Sequence, residues 1–372
     1  MKNIAVIFGG KSVEHDISIL TGLQVISNLS GEYNVIPIYI SRTGEWWTGE
    51  KLTNMSTFTD FNEIGLSKCW LVPHSDKLFM KKFIKIREHN LDNIILALHG
   101  ANGEDGTVQG LIELCEIPYT SAGVLGSALT MDKVVSKMIM KECEIATPEF
   151  LTFYKHSWQK NKKQILKEIK EKFKNNVVVK PARAGSSIGV SKCANSDEVK
   201  DAIDLALCFD FKIIVEQAIS DFREVNVACI GLEDDVEVSV LEEIKGAYNI
   251  LDFDKKYINS KSVERVVDVK LDKKIKDEIC TFAKKIFTAC ECMGVVRLDF
   301  FVENKTNKVL LNEINSIPGS MANYLFKNMN FTALLDKLLA LSEKRQKQKE
   351  NLSYLYKSDA LINFNVGGKV KK

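Results

Sequence analysis

Three segments of this 372-residue chain combine residue types that can do chemistry. The first is Lys180-Pro181-Ala182-Arg183-Ala184-Gly185-Ser186-Ser187-Ile188-Gly189-Val190, which follows an apolar run. A glycine and serine loop can close its backbone N–H groups over anionic oxygens, and a lysine at a strand end adds a fixed positive charge. Such a loop suits a polyphosphate, although a hairpin turn explains the segment equally well. No Gly-Lys-Ser/Thr ends a glycine loop that leads into a helix, so the P-loop is absent.

The second segment is acidic: Arg297-Leu298-Asp299-Phe300-Phe301, followed by Asn312-Glu313-Ile314-Asn315-Ser316-Ile317-Pro318-Gly319. Strand alternation puts Arg297 and Asp299 on one face, and Glu313 and Asn315 on one face of a neighbouring strand. Two carboxylates and an amide oxygen form an oxygen-only set of the kind that suits magnesium shared with phosphates and water. Histidine and thiolate donors are lacking, which argues against zinc. The bland alternative is a pair of surface salt bridges, and the apolar flanks weigh against it. Arg297 and the backbone N–H of Gly319 could stabilise a developing oxyanion. The third segment, His99-Gly100-Ala101-Asn102-Gly103-Glu104-Asp105-Gly106, is a loop at the end of an apolar run. A lone histidine is most often structural, but such loops position ligands in open α/β sheets.

The elements that must carry these loops are legible as apolar runs. Ile4–Phe8, Val35–Ile40 and Ile94–Leu98 read as buried strands, with a helix from Ser18 to Leu29 between the first two. The fold expected is therefore α/β, opening on a parallel sheet. Gly123 to Met140 reads as helix, Lys160 to Lys174 as a solvated amphipathic helix, and Asp272–Ala289 as another. Strands are expected at Val177–Pro181, Lys212–Glu216, Val225–Ile230, Val236–Leu241, Val295–Val302 and Lys308–Asn312. The length suits two or three cores. Three domains are expected: 1–122, 123–213 and 214–372.

A net charge of +2 gives no reason to expect nucleic acid as a partner. The opening apolar run breaks on Gly9-Gly10 and is too short for a signal sequence, and no later run approaches a membrane span. Nine cysteines at irregular spacings read as buried thiols of a reducing cytoplasm.

Taken in order, these segments resemble the D-alanine-D-alanine ligase family of the ATP-grasp superfamily, over nearly the whole chain. Phe8-Gly9-Gly10-Lys11-Ser12-Val13-Glu14-His15 is similar to the family's first substrate loop, and His99–Gly106 to its HG-x-x-GEDG motif. The resemblance implies an N-terminal substrate domain, with central and C-terminal α+β domains enclosing ATP. It implies that Glu14 meets the ammonium of the first D-alanine and that His99 lies in the substrate loop. Lys133 and Lys180 would grip phosphates, with Ser186 and Ser187 in the loop closing over the site. Glu216, Gln217 and Ile219 match the adenine hinge, and Glu224 the acid that takes the ribose hydroxyls. Asp299, Glu313 and Asn315 match ligands of magnesium (or manganese), two ions being usual. Arg297 and Gly319 match the oxyanion donors, and Lys256-Tyr257 a pair on a loop that covers the nucleotide. The implied reaction is attack of one D-alanine's carboxylate on the γ-phosphate, then attack of a second amine on the acyl phosphate. A homodimer is common in the family.

Two departures stand out. After Pro318-Gly319 the run is Ser320-Met321-Ala322-Asn323-Tyr324-Leu325-Phe326, which puts Tyr324 where the family has a serine for the second substrate's carboxylate. Tyr324 and Leu325 are thus expected in a reshaped second pocket, where a phenol could donate a hydrogen bond to that carboxylate. Leu251 replaces a common aromatic, and Ser262–Val267 lacks the family's proline-alanine exit. A ligase with another acceptor such as D-serine, a nucleotide-binding homologue without activity, and a carboxylate kinase are the competing readings.

Overall fold

The computed structural model describes residues 1–82, 84–245, 264–356 and 358. Three sheets organise them. The first contains β1 (Lys2–Gly9), β2 (Tyr33–Ile40), β3 (Trp46–Thr48), β4 (Ser67–Leu71), β5 (Lys77–Lys82), β6 (Lys85–Asn90) and β7 (Asn93–Leu96). Its order is β6-β5-β4-β3-β2-β1-β7. It is parallel across β2-β1-β7, where Ile4, Ala5, Val6, Ile7 and Phe8 are fully buried. That explains their unbroken apolar run, since a strand covered on both faces has no polar side. From β3 to β6 it continues as an antiparallel ribbon. The periodicity did not signal this ribbon, because its β6 is exposed at every residue.

Helix α1 (His15–Asn28) crosses back from β1. The short helices α2 (Ser56–Thr59) and α3 (Thr107–Leu114) follow, the latter after the His99–Gly106 loop. The stretch expected as one helix is two, α4 (Val124–Met131) and α5 (Lys133–Glu142), broken at Asp132. Asp132 has extended backbone and accepts from Val134 N and Val135 N, a side-chain cap that starts α5 afresh with Lys133 as its first residue.

The second sheet has the order β10-β9-β11-β8, from β8 (Phe150–Tyr154), β9 (Val177–Pro181), β10 (Ser191–Cys193) and β11 (Lys212–Gln217). Helices α6 (Lys155–Phe173) and α7 (Ser196–Ala206) share its core, with Trp158, Ile169 and Ile203 buried. β11 spans the expected boundary at residue 213 and pairs with both β8 and β9.

The third sheet is β14-β13-β12-β15-β16, built from β12 (Phe222–Leu232), β13 (Asp235–Lys245), β14 (Glu264–Val267), β15 (Met293–Glu303) and β16 (Val309–Asn315). α8 (Lys273–Ala289) packs on it through Ile279, Ile286 and Phe287. α9 (Phe331–Glu350) buries Leu334, Leu335, Leu338 and Leu339 in the core of the first sheet. The nine cysteines are free, as expected. Cys208 is a correction: it lies in the turn after α7 and is exposed.

Candidate active site

The lysines gather first. Lys133 and Lys137 are one turn apart on α5 and so share a face. Lys180 ends β9, and Glu216 of β11 is paired with Val178, two residues back along that strand. The Glu216 carboxylate lies between two ammonium groups, 3.0 Å from Lys137 Nζ and 2.7 Å from Lys180 Nζ. Burial alone would raise the Glu216 carboxyl, but the two lysines outweigh it and hold it down at about 2. Lys180 also donates to Asn312 Oδ1 at 3.1 Å. Lys133 donates to Ala184 O at 2.7 Å and lies 3.7 Å from Glu313 Oε2. Lys133, Lys180, Glu216, Asn312 and Glu313 border a cavity between the second and third sheets, which Ser187, Gln217 and Glu224 also line. Its apolar walls include Pro148, Val178, Ile219, Phe222 and Phe301. An apolar slot ending in buried cations fits a flat heteroaromatic ring that carries a polyphosphate.

The third sheet holds the acids. Glu242 of β13, Asn226 of β12, Asp299 of β15 and Glu313 of β16 are direct neighbours in register, so four polar side chains cross the sheet in one row. Arg297 donates from Nε and Nη2 to the two oxygens of Asp299, at 2.7 and 2.8 Å. Asn315, opposite Arg297, donates to Asp299 Oδ2 at 3.1 Å. Asp299, Glu313 and Asn315 fit magnesium: every available donor is oxygen, and an amide turned over presents its oxygen in place of its NH2.

Glu14 links the first sheet to the loop after β9. Its Oε1 accepts from Ser186 Oγ. A Cβ on Gly185 would fall 2.5 Å from Glu14 Oε2, and one on Gly100, at φ +71°, would fall 2.7 Å from it. The carboxylate is therefore wedged between two backbones that only glycine lets approach so closely. Behind it, Glu104 accepts from Gly100 N at 2.8 Å and Ile317 N at 3.0 Å. Burial first, and the charge of Glu14 second, push the Glu104 carboxyl up to about 8. His99 is buried, 2.9 Å from Thr21 Oγ1 through Nε2, and burial lowers its imidazole to about 4.

The chain then turns sharply. Gly319 begins a 3-10 turn, Gly319–Leu325, and a Cβ there would meet nothing within 4 Å, so this backbone borders open space. Ser320, Met321 and Ala322 follow with φ of +51°, +51° and +48°. Three consecutive left-handed residues without a glycine store backbone strain of about 1 kcal/mol or more each. The turn delivers Tyr324 to the far end of the polar row, where its hydroxyl donates to Glu242 Oε1 at 3.0 Å. Arg265 Nη1 donates to the same hydroxyl at 3.1 Å. The side chain of Leu325 is fully buried in the hydrophobic core, which leaves only its backbone for a ligand. Lys256 and Tyr257 lie outside the described residues.

Sequence reading missed Lys137, Glu104, Asn226, Glu242 and Arg265. Lys137 had a signal, a second lysine at i+4 within an otherwise apolar helix face. Glu104 had one too, its place in the Gly103-Glu104-Asp105-Gly106 motif, and the other three became visible only through register and turn geometry.

Comparison with known proteins follows the same outline. Residues 3–122 match the family model described as D-ala D-ala ligase N-terminus, and residues 139–340 match D-ala D-ala ligase C-terminus. The D-alanine–D-alanine ligase of Thermosipho melanesiensis is 38% identical over 95% of this chain and 97% of its own length. That of Caldicellulosiruptor bescii is 38% identical over 94% and 98%. Among solved structures, the D-alanine-D-alanine ligase from Coxiella burnetii superposes with a TM-score of 0.80 at 26% identity, covering 94% of this chain and 96% of that one. The VanG D-Ala:D-Ser ligase from Enterococcus faecalis gives 0.78 at 32% identity, covering 92% and 99%.

Proposed function

Because the chain belongs to the D-alanine-D-alanine ligase family, with its ATP-grasp fold, we propose that it joins two D-alanines at the expense of ATP. The product, D-alanyl-D-alanine, would serve peptidoglycan synthesis. The observation that carries this reading is the Ser186–Glu14 hydrogen bond, which sets an ammonium receptor against the phosphate loop. An amino acid held by Glu14 through its ammonium would have its carboxylate only a few ångströms away, near the loop whose Ala184 carbonyl accepts from Lys133.

Each group then has a task. Lys133 and Lys180 neutralise phosphate oxygens, while the apolar slot and Gln217 receive the adenine, with Glu224 near the ribose. Asp299, Glu313 and Asn315 would hold one or two magnesium ions, which when bound offset charge on the transferring phosphoryl group. The carboxylate of the first D-alanine attacks the γ-phosphorus, the bond to ADP breaks, and an acyl phosphate results. The second amine then attacks the acyl carbon, and Arg297 with the Gly319 N–H stabilises the tetrahedral oxyanion until phosphate leaves. His99 ties its own loop to α1 through Thr21, and Glu104 ties that loop to the Ile317 backbone. A homodimer in the cytoplasm completes the proposal; among the described residues no helix is long and apolar enough to cross a membrane.

The test is ADP release with ATP, magnesium and D-alanine as sole amino acid, with the dipeptide identified by mass. Turnover on D-alanine alone is expected. Turnover that requires D-serine or another acceptor would sink the reading, and ADP release without a dipeptide would point to a kinase.

A further inference from the structure

The resemblance gives the second substrate's carboxylate a serine hydroxyl, and at that position Tyr324 has its proton on Glu242. The hydroxyl's acceptor side is taken as well, by Arg265 Nη1. A phenol so engaged has nothing left to donate to an incoming carboxylate. The cation beside it does. Arg265 stands on the edge strand β14 and uses Nη1 for Glu242 Oε1 at 3.1 Å and for Tyr324. Among the described residues, neither Nε nor Nη2 of Arg265 donates to any acceptor, although its side chain is only half exposed, at 52%. Those two nitrogens form the edge of a guanidinium whose parallel N–H groups match a carboxylate.

Three neighbours make this a built arrangement. Glu242 is fully buried, and it is fixed from the other side by Asn226 Nδ2 at 3.3 Å. Tyr324 is delivered by the strained turn that starts at Gly319. Arg297 lies close enough for the two guanidinium charges to oppose one another and for both to act on Tyr324. Two guanidinium groups are thus brought together around one hydroxyl at the end of the polar row opposite Glu313, each paired with a carboxylate, Arg265 with Glu242 and Arg297 with Asp299.

Resting on the ligase reading above, we infer that Arg265, held by Glu242 and Tyr324, receives the α-carboxylate of the second, attacking amino acid. The serine's hydrogen-bonding task has moved from the turn to a guanidinium on the facing strand. Tyr324 and Glu242 are positioning residues that aim the Nε and Nη2 edge. The pocket selects acceptors with a free carboxylate next to the amine and rejects those in which an amide replaces it.

The experiment compares wild type, Arg265→Gln, Arg265→Lys and Tyr324→Phe, with D-alanine fixed as first substrate and D-alanine or D-alaninamide as acceptor. ATP and hydroxylamine with D-alanine provide a separate assay of acyl phosphate, read as the hydroxamate. Arg265→Gln is expected to raise the KM for the second D-alanine about 100-fold and to level the preference for D-alanine over D-alaninamide. The KM for ATP should move less than about twofold. Arg265→Lys should recover part of the preference, since an ammonium keeps the charge without the paired donors. Tyr324→Phe should shift the acceptor KM in the same direction by less. An Arg265→Gln enzyme that keeps its acceptor preference overturns the inference. So does one whose KM for ATP and for acceptor rise together, because that is a structural role. A wild-type chain that forms no hydroxamate from D-alanine overturns the ligase reading itself, and this inference with it.

Discussion

Single side chains make the sharpest statements about this site. Glu216 is 2% exposed and sits between two ammoniums, so removing one of them leaves a buried charge half-compensated. Lys137→Met should cost about 3 kcal/mol of unfolding free energy and raise the KM for ATP, because Lys180 then compensates Glu216 alone and is less available to phosphate. Adding Glu216→Gln should recover part of the stability, a non-additivity visible in urea titrations of the four chains. His99 supplies a pH signature. Its folded value of about 4 lies below the ordinary 6.5, so between those values the unfolded chain takes up the proton first. Stability contributed by the neutral imidazole is complete above about pH 6.5, is lost as pH falls toward 4, and levels off below. His99→Gln should flatten that slope by about 2 to 3 kcal/mol in urea midpoints measured across the window. The residue identities were legible in the sequence where a motif fixed their spacing, as for Lys133, Lys180, Asp299 and Glu313. Tyr324 was legible as a departure, but its hydrogen bonds were not, since Glu242 and Arg265 reach it from strands 82 and 59 residues away.

Elements place these side chains through local rules. The break at Asp132 matters because it makes Lys133 the first residue of α5, with its ammonium on the Ala184 carbonyl of the loop after β9. Asp132 also accepts from Lys212 Nζ at 2.8 and 2.9 Å, so one carboxylate caps a helix and pairs a buried lysine. Asp132→Ala should lower stability by about 2 to 3 kcal/mol, the loss of a cap plus an ion pair, and should weaken ATP binding as well. Asp132→Asn keeps the cap acceptor and should lose less than half as much, measured by thermal unfolding and nucleotide titration. The same break was hidden in the sequence because Gly123 to Met140 is apolar on one side throughout, and periodicity does not report a single extended residue. Buried strands were easy for the opposite reason. Ile4–Phe8 and Ile94–Leu96 are covered on both faces, whereas the exposed ribbon ending in β6 carries no such run.

Across the whole molecule, the three sheets contribute different parts of the proposed reaction centre. The first supplies Glu14 and the loop around His99, the second Lys180, Ser186 and Glu216, and the third the polar row with Arg297. On the proposed reading no one sheet holds both the ammonium receptor and the phosphate grip, so the chemistry would depend on the Gly185 and Gly100 backbones meeting at Glu14. The central claim is that this juxtaposition makes an acyl phosphate from an amino-acid carboxylate. Turnover of D-alanine carrying 18O in its carboxyl group, with unlabelled ATP and magnesium, tests it most directly. The account predicts one 18O atom in the released phosphate for each dipeptide formed; dipeptide accompanied by unlabelled phosphate would contradict it.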